Sequence, residues 1–259
     1  MAGDSGGTGS DRGSPKRSSP SRRNLLLLGL SWAAGFVDAI SFLGLGSVFT
    51  ANMTGNTILL AIALARGNLS DVFRSLIALA GFCLGVIAGA LIVPHSDDRP
   101  TSWLAAITKP LVLEFVALLI LAVGWQWAGA LALSSTGFIE PLIILAAFAM
   151  GVQTAAVRRI GVSAVTSTAV TGTLAGVMAS AVGRIHSPPG SPRPEDAHAR
   201  NSGAGFGLSA SVWGIYAAGG LSGGLAQIRW NSNCAWPAVV TVGLVFAAAI
   251  LWQRTKREI

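Results

Sequence analysis

The chain has 259 residues, of which 52% are hydrophobic and only 11% are charged. Soluble domains carry about 25% charged residues, so this chain cannot cover its apolar side chains with a solvated surface. The composition excludes a soluble globular protein and predicts a chain folded in the lipid bilayer. The net charge of +7 is spread between apolar segments and does not form a stripe, which indicates membrane topology and no nucleic-acid partner.

The sequence contains no pattern typical of a metal site or an enzyme. Cys83 and Cys234 lie in different segments without a CxxC arrangement, and the three histidines fall in polar stretches. There is no Walker sequence, no dinucleotide-binding glycine pattern and no paired catalytic carboxylates. We therefore expect no disulfide, no metal, no cofactor and no enzymatic activity.

Apolar runs of about 20 residues, the length of a membrane-spanning helix, begin after a basic N-terminal segment. Residues 1–23 are rich in Gly, Ser, Pro and basic side chains, and predict a disordered cytoplasmic tail. The Pro-rich stretch 184–206 predicts a flexible cytoplasmic loop. The second and sixth runs are rich in Thr, Ser and Asn, and the fifth is short, so any of these three could be broken or re-entrant. We predict an all-α polytopic bundle of about eight spans, near 25–46, 47–65, 75–93, 111–133, 138–157, 162–182, 207–227 and 235–252.

Basic residues test this topology through the positive-inside rule. Eight crossings with both termini in the cytoplasm put 13 of the 18 Lys and Arg residues inside. Arg158 and Arg159 then fall outside, against the rule. This pair indicates either a misplaced span or a functional role.

The chain carries the same pattern twice. Val37-Asp38 precedes a polar block at 50–56, and Val152-Gln153 precedes a matching block that contains Thr171-Gly172. We predict two membrane repeats, 24–134 and 135–253, with four helices each. An even number of crossings gives the two repeats the same orientation.

Each polar block is followed by glycines at every fourth position, which let two helix backbones approach closely. We interpret them as packing seams within the protein, or as a contact that forms a homo-oligomer. The glycines are Gly81, Gly85 and Gly89 in the first repeat, and Gly219 and Gly223 in the second.

Three stretches carry a family resemblance: Gly35-Phe-Val-Asp38, the block Val48 to Asn56, and Met150 to Arg159 followed by Thr171-Gly172-Thr173. Over about residues 25–252 the chain resembles the YoaK-like family of bacterial membrane proteins, whose function is unknown. The resemblance implies a multi-pass protein of the bacterial inner membrane, and the family is sometimes proposed to transport solutes.

Asp38 is the strongest candidate for a functional residue. It lies roughly 12 Å inside the first span by helical rise, where an ionisable group needs a partner, a proton or water. Thr54 and Asn56 descend to a similar depth and could bind a small polar solute or ion together with Asp38. The alternative is a structural role, in which Asp38 caps donors of the second span and the polar side chains hold helices together.

The second repeat offers Gln153 and Thr171 as the matching, uncharged cluster. Arg158 could attract an anionic solute or pair with Asp38, although an arginine at a span end more often contacts lipid headgroups. Near the start of the fourth span we expect Glu114 to pair locally with Lys109.

Together these residues favour a transporter or permease, with a small polar solute or ion bound near Asp38 between two halves that rock against each other. The alternative is a membrane scaffold, or a protein that binds a lipid or small molecule without transporting it. An intramembrane enzyme is disfavoured because no catalytic set is present.

Overall fold

A computed structural model of the protein describes residues 20–92, 103–130, 138–159, 178 and 206–255. Within these residues the protein is helical. The predicted sixth span, Thr171 and nearly all of the predicted tail and loop lie outside the described residues. The α-helices are α1 (Pro20–Gly44), α2 (Met53–Ala65), α3 (Leu69–Ile92), α4 (Trp103–Ala130), α5 (Ile139–Arg159), α6 (Phe206–Trp230) and α7 (Trp236–Thr255), with a short 3₁₀ helix at Asn231–Asn233 before α7.

Five of the described helices are long and apolar enough to cross a membrane, namely α1, α3, α4, α5 and α7. Helix α6 has 25 residues, but its glycine and serine residues lower its hydrophobicity, and it is not among these five. Helix α2 has 13 residues, about 20 Å, and is therefore shorter than a hydrocarbon core of about 30 Å. Pro20, Pro141 and Pro237 lie in the first turns of their helices, where a missing N–H costs least.

Helices α1 and α6 pack backbone to backbone and run parallel. A Cβ added at Gly219 would collide with the carbonyl of Trp32, and one at Gly223 would collide with the carbonyl of Phe36. The contacting residue numbers rise together along both helices, which defines the parallel direction. No side chain larger than hydrogen fits at these glycines.

Helices α3 and α5 form a second parallel pair of the same kind. A Cβ at Gly81 would meet the backbone of Ile144, one at Gly85 the carbonyl of Phe148, and one at Gly89 the backbone of Val152. The predicted seam glycines of both halves therefore lie at helix contacts inside one chain.

Helix α7 runs antiparallel to both α1 and α4. Gly29 faces Val245, and the guanidinium of Arg22 lies 5.5 Å from the ring of Trp252, so numbers rise along α7 as they fall along α1. Likewise the Gln253 amide donates to the Thr108 hydroxyl at 2.5 Å, whereas Gly243 faces Phe115. Helices α1 and α4 are therefore parallel to each other.

Helix α5 runs antiparallel to α1. Gly124, late in α4, faces Leu142 at the start of α5, whereas Ile107 and Leu111, early in α4, share a core cluster with Val157 at the end of α5. Since α1 is parallel to α4 and α3 is parallel to α5, α3 also runs antiparallel to α1. The predicted like orientation of two repeats is wrong, because their first helices point in opposite directions.

These directions define two ends of the bundle. The terminal end holds the start of α1 and the end of α7, and the distal end holds the end of α1 and the start of α3. Helix α2 connects α1 to α3 at the distal end, so it does not form the crossing predicted for 47–65. The contact between the Arg74 side chain, near the start of α3, and Gly46, just after α1, agrees with this placement.

Candidate functional site

An irregular turn between α1 and α2 forms the centre of the candidate site. The chain reverses at Gly46 and Ser47, which adopt φ angles of 81° and 61°. Asn52 then caps α2, because its side-chain oxygen accepts from the Gly55 N–H at 3.1 Å. Six residues of the predicted second span, 47–52, are used in this turn, and this leaves α2 too short to cross.

Asn56, in the first turn of α2, stabilises the irregular turn through two hydrogen bonds to Phe49. It is fully buried, its side-chain oxygen accepts from the Phe49 N–H at 2.8 Å, and its amide donates to the Phe49 carbonyl at 2.6 Å. Both backbone groups of one turn residue are thus satisfied by one side chain. Irregular backbone at membrane depth requires such internal partners.

Asp38 holds the same turn from α1. Its Oδ1 accepts the backbone N–H groups of Thr50 and Ala51 at 2.7 and 2.6 Å, and that of Asn52 at 3.4 Å. The Thr50 hydroxyl also lies 3.4 Å from this oxygen. The carboxylate therefore faces the positive end of α2 and several donors that the helix start leaves unpaired.

Tyr216 on α6 completes the environment of Asp38. Its hydroxyl donates to Oδ2 at 2.6 Å and joins the first half of the chain to the second. Asp38 is only 3% exposed, so it is enclosed by the turn and α6. Tyr216 is not among the residues predicted from the sequence, although it is the single tyrosine of the chain and lies within an apolar run.

Gln153 lies at the crossing of α5 and α1. It is buried, and its amide donates to the Leu30 carbonyl at 3.0 Å. Leu30 is eight residues from Asp38 along α1, about 12 Å by helical rise. Asp38 and Asn56 therefore meet through one turn, whereas Gln153 forms a separate polar contact near the middle of the bundle.

Two of the candidate residues, Thr54 and Arg158, do not lie beside Asp38 in the turn between α1 and α2. Thr54 is exposed on α2, and Arg158 is exposed near the terminal end of α5. Asp38 lies toward the distal end, on the other side of the Gln153 contact, so Arg158 does not pair with it. An exposed arginine at a helix end agrees with contact to lipid headgroups.

Glu114 is a buried carboxyl group that does not pair with its predicted partner, Lys109. Its exposed fraction is 0%, whereas Lys109 is exposed. Five residues turn a helix by about 140°, so the two side chains point to different faces. The predicted ion pair is wrong: among the described residues, neither carboxyl oxygen of Glu114 has a hydrogen-bond partner.

The apolar helices and the enclosed polar turn define an integral membrane protein with one short helix beside its spanning helices. Comparison with known sequences then assigns the family: residues 26–248 match the family described as protein of unknown function DUF1275, and the chain belongs to it. The UPF0700 transmembrane protein YoaK of Bacillus subtilis (strain 168) is 42% identical over 166 residues, which are 63% of this chain and 69% of that protein. The predicted family is confirmed. No solved structure matches the chain.

Proposed function

We propose that this protein is a transporter or permease for a small polar solute or ion, built from two inverted halves. The first half comprises α1 to α4 and the second comprises α5 to α7. Inverted halves that meet near the middle of the membrane are a common transporter architecture, in which one half moves against the other. Transport, rather than catalysis, is the activity that this architecture favours.

The observation that carries the proposal is the reciprocal packing of the two halves. Helix α1 packs along the glycine seam of α6, and α5 packs along the glycine seam of α3. In each case the first helix of one half lies parallel to a helix of the other half. If the two halves are related by inversion, α1 corresponds to α5 and α3 corresponds to α6. The α1–α6 contact then corresponds to the α5–α3 contact.

Charge distribution supports six crossings by α1 and α3 to α7, with the terminal end in the cytoplasm. The connection from α5 to α6 then begins and ends on the cytoplasmic side. Six crossings predict 15 of the 18 Lys and Arg residues on that side, including Arg158 and Arg159, which violated the rule under eight crossings. The basic residues left outside are Arg66, Arg74 and Arg229.

The turn at Asp38 is the proposed moving part of the site. A short helix that starts within the membrane presents backbone N–H groups, and here Asp38 occupies them. The bond from Tyr216 ties this arrangement to the second half. We propose that the described state is closed, and that separation of α6 from Asp38 opens the turn to solute.

A membrane scaffold is the second candidate, and one observation favours it. Both oxygens of Asp38 already accept short hydrogen bonds, Oδ1 from the N–H groups of Thr50 and Ala51 and Oδ2 from the Tyr216 hydroxyl, which is the environment of a structural carboxylate. In that case Asp38 variants lose stability and assembly but no flux exists to be lost.

The test is light scattering of proteoliposomes after mixing with urea, glycerol, potassium chloride or ammonium acetate in separate experiments. Transport predicts that vesicles with the protein swell faster than empty vesicles for at least one of these solutes, and that Tyr216→Phe changes that rate. Ser222→Ala is the matched control, since the Ser222 hydroxyl bonds only to carbonyls of its own helix among the described residues. Equal swelling with all four solutes would contradict the proposal.

A further inference from the structure

Glu114 lies on the buried face of α4. Leu111, three residues earlier, and Leu118, four residues later, are also buried, as helical spacing requires for one face. Glu114 is seven residues into the span that starts at Ile107, about 10 Å from its beginning. A carboxyl group thus lies well inside the membrane, toward the terminal end.

Among the described residues, no basic side chain pairs with the Glu114 carboxyl group. Neither of its oxygens has a hydrogen-bond partner within the described part of the chain, and its exposed fraction is 0%. The facing helices carry their basic side chains toward the terminal end instead. These are Arg22 and Arg23 of α1, Arg158 of α5 and Arg254 of α7, and the acidic residues Asp38 of α1 and Glu140 of α5 lie toward the distal end.

A bare carboxylate in such a place is costly, whereas a proton neutralises it without further ligands. A metal cation would need several oxygen ligands, and on the neighbouring α1 the Leu30 carbonyl already accepts from Gln153. The described residues also contain no cluster of His, Cys, Asp or Glu that could hold a metal. The ligand chemistry that fits Glu114 is therefore a single proton.

We propose that Glu114 is a proton-binding site that is loaded from the terminal end and closed in the described state. The reaction is addition of one proton to the carboxylate to give the neutral acid, and its reverse. The Thr108–Gln253 pair joins α4 to α7 about 9 Å nearer the terminal end, and its separation gives the proton a polar route. Coupling of this proton to solute movement rests on the proposed transport function, but proton binding itself does not.

The experiment is infrared difference spectroscopy of the full chain in lipid nanodiscs, titrated in pH and exchanged into D₂O. We expect a carbonyl band of a protonated carboxylic acid that shifts in D₂O and disappears as pH rises. Glu114→Gln removes this band, and Asp38→Asn, the matched variant at the other buried carboxyl group, leaves it in place. If Glu114→Gln does not fold, Glu114→Asp is expected to shift the band.

Two results overturn the proposal: no acid band that depends on Glu114 at neutral pH, or a band that neither titrates nor exchanges while the protein stays folded. The second result would show a permanently enclosed acid with only a structural role. Proteoliposomes loaded with a pH-sensitive dye separate this inference from the proposed function. A titrating band without solute flux contradicts transport alone, and flux without the band contradicts the role of Glu114 alone.

Discussion

Helices α1 and α5 both pack along a row of glycines but carry different polar residues. Helix α1 lies along the glycines of α6 and α5 along those of α3, and the two helices cross where Gln153 bonds to Leu30. Asp38 of α1 accepts from a turn and from Tyr216, whereas Gln153 of α5 donates to a helix carbonyl. The charged Asp38 therefore lies where the start of α2 supplies unpaired N–H groups. The neutral amide of Gln153 is sufficient at a site that offers only a backbone carbonyl.

The largest expected effect is the presence or absence of thiol labelling at two positions, 66 after α2 and 158 near the end of α5. In a chain whose own cysteines are replaced, Arg66→Cys and Arg158→Cys report opposite sides of the membrane. Six crossings predict that a membrane-impermeant maleimide labels position 66 in intact cells and labels position 158 only after lysis. Both residues are exposed, so burial does not limit the reaction.

Eight crossings predict the reverse result at both positions. Each position therefore serves as the control for the other. Labelling at 158 but not at 66 in intact cells would restore the like-oriented repeats and contradict the inverted halves. Labelling of both positions after lysis confirms that each thiol is reactive.

The next largest effect is expected at Asp38. Asp38→Ala leaves the N–H groups of Thr50 and Ala51 and the Tyr216 hydroxyl without their acceptor. Each buried donor left unsatisfied costs about 1–3 kcal/mol, so the variant is expected to lose at least about 3 kcal/mol of unfolding free energy. Unfolding in mixed micelles with increasing denaturing detergent measures the loss. A loss below about 1 kcal/mol would show that the turn does not depend on Asp38.

The sequence predicted most of the helices because apolar runs of span length are a strong signal. Five of the eight predicted runs correspond to helices long and apolar enough to cross, and the run at 207–227 corresponds to α6. The run at 47–65 was misread because mean hydropathy does not distinguish an apolar turn plus a short helix from a complete span. This single error explains why α5 was expected to run parallel to α1, whereas the structure has the two helices antiparallel.

The polar contacts show a similar limit. Asp38 and Asn56 stood out because polar residues are rare in spans, and in the structure both bond to backbone groups of one turn. Their partners are backbone groups and Tyr216, which is 178 residues away from Asp38, and one sequence contains no signal for such a long-range contact. Helical geometry alone could have separated Glu114 from Lys109, since residues five positions apart lie on different faces.

The two glycine seams are expected to respond alike to a single added methyl group. Gly85→Ala in α3 and Gly219→Ala in α6 each place a Cβ against a backbone carbonyl of the partner helix. Overpacking of this kind costs about 1–3 kcal/mol. Thermal unfolding in detergent measures both, and Gly214→Ala is the matched control, because a Cβ there meets nothing within 4 Å.

At Gly214 the added methyl group is expected to leave stability unchanged or to raise it by up to about 1 kcal/mol, since alanine favours helix more than glycine. Equal behaviour of all three variants would show that the seams are not close contacts. A loss at one seam only would show that the halves are not equivalent in their packing.

The smallest effect is expected at Gln153, the neutral counterpart of Asp38. Gln153→Leu keeps a similar volume and removes one hydrogen bond to Leu30, whose carbonyl lies within α1 and retains its own helix as a partner. Polar contacts between membrane helices average about 0.6 kcal/mol, so the variant is expected to lose about that much in the same detergent titration as Asp38→Ala. A loss as large as that of Asp38→Ala would mean that the α1–α5 crossing depends on Gln153 as strongly as the turn depends on Asp38. In that case Asp38 and Gln153 differ in charge but contribute similarly to the free energy of unfolding.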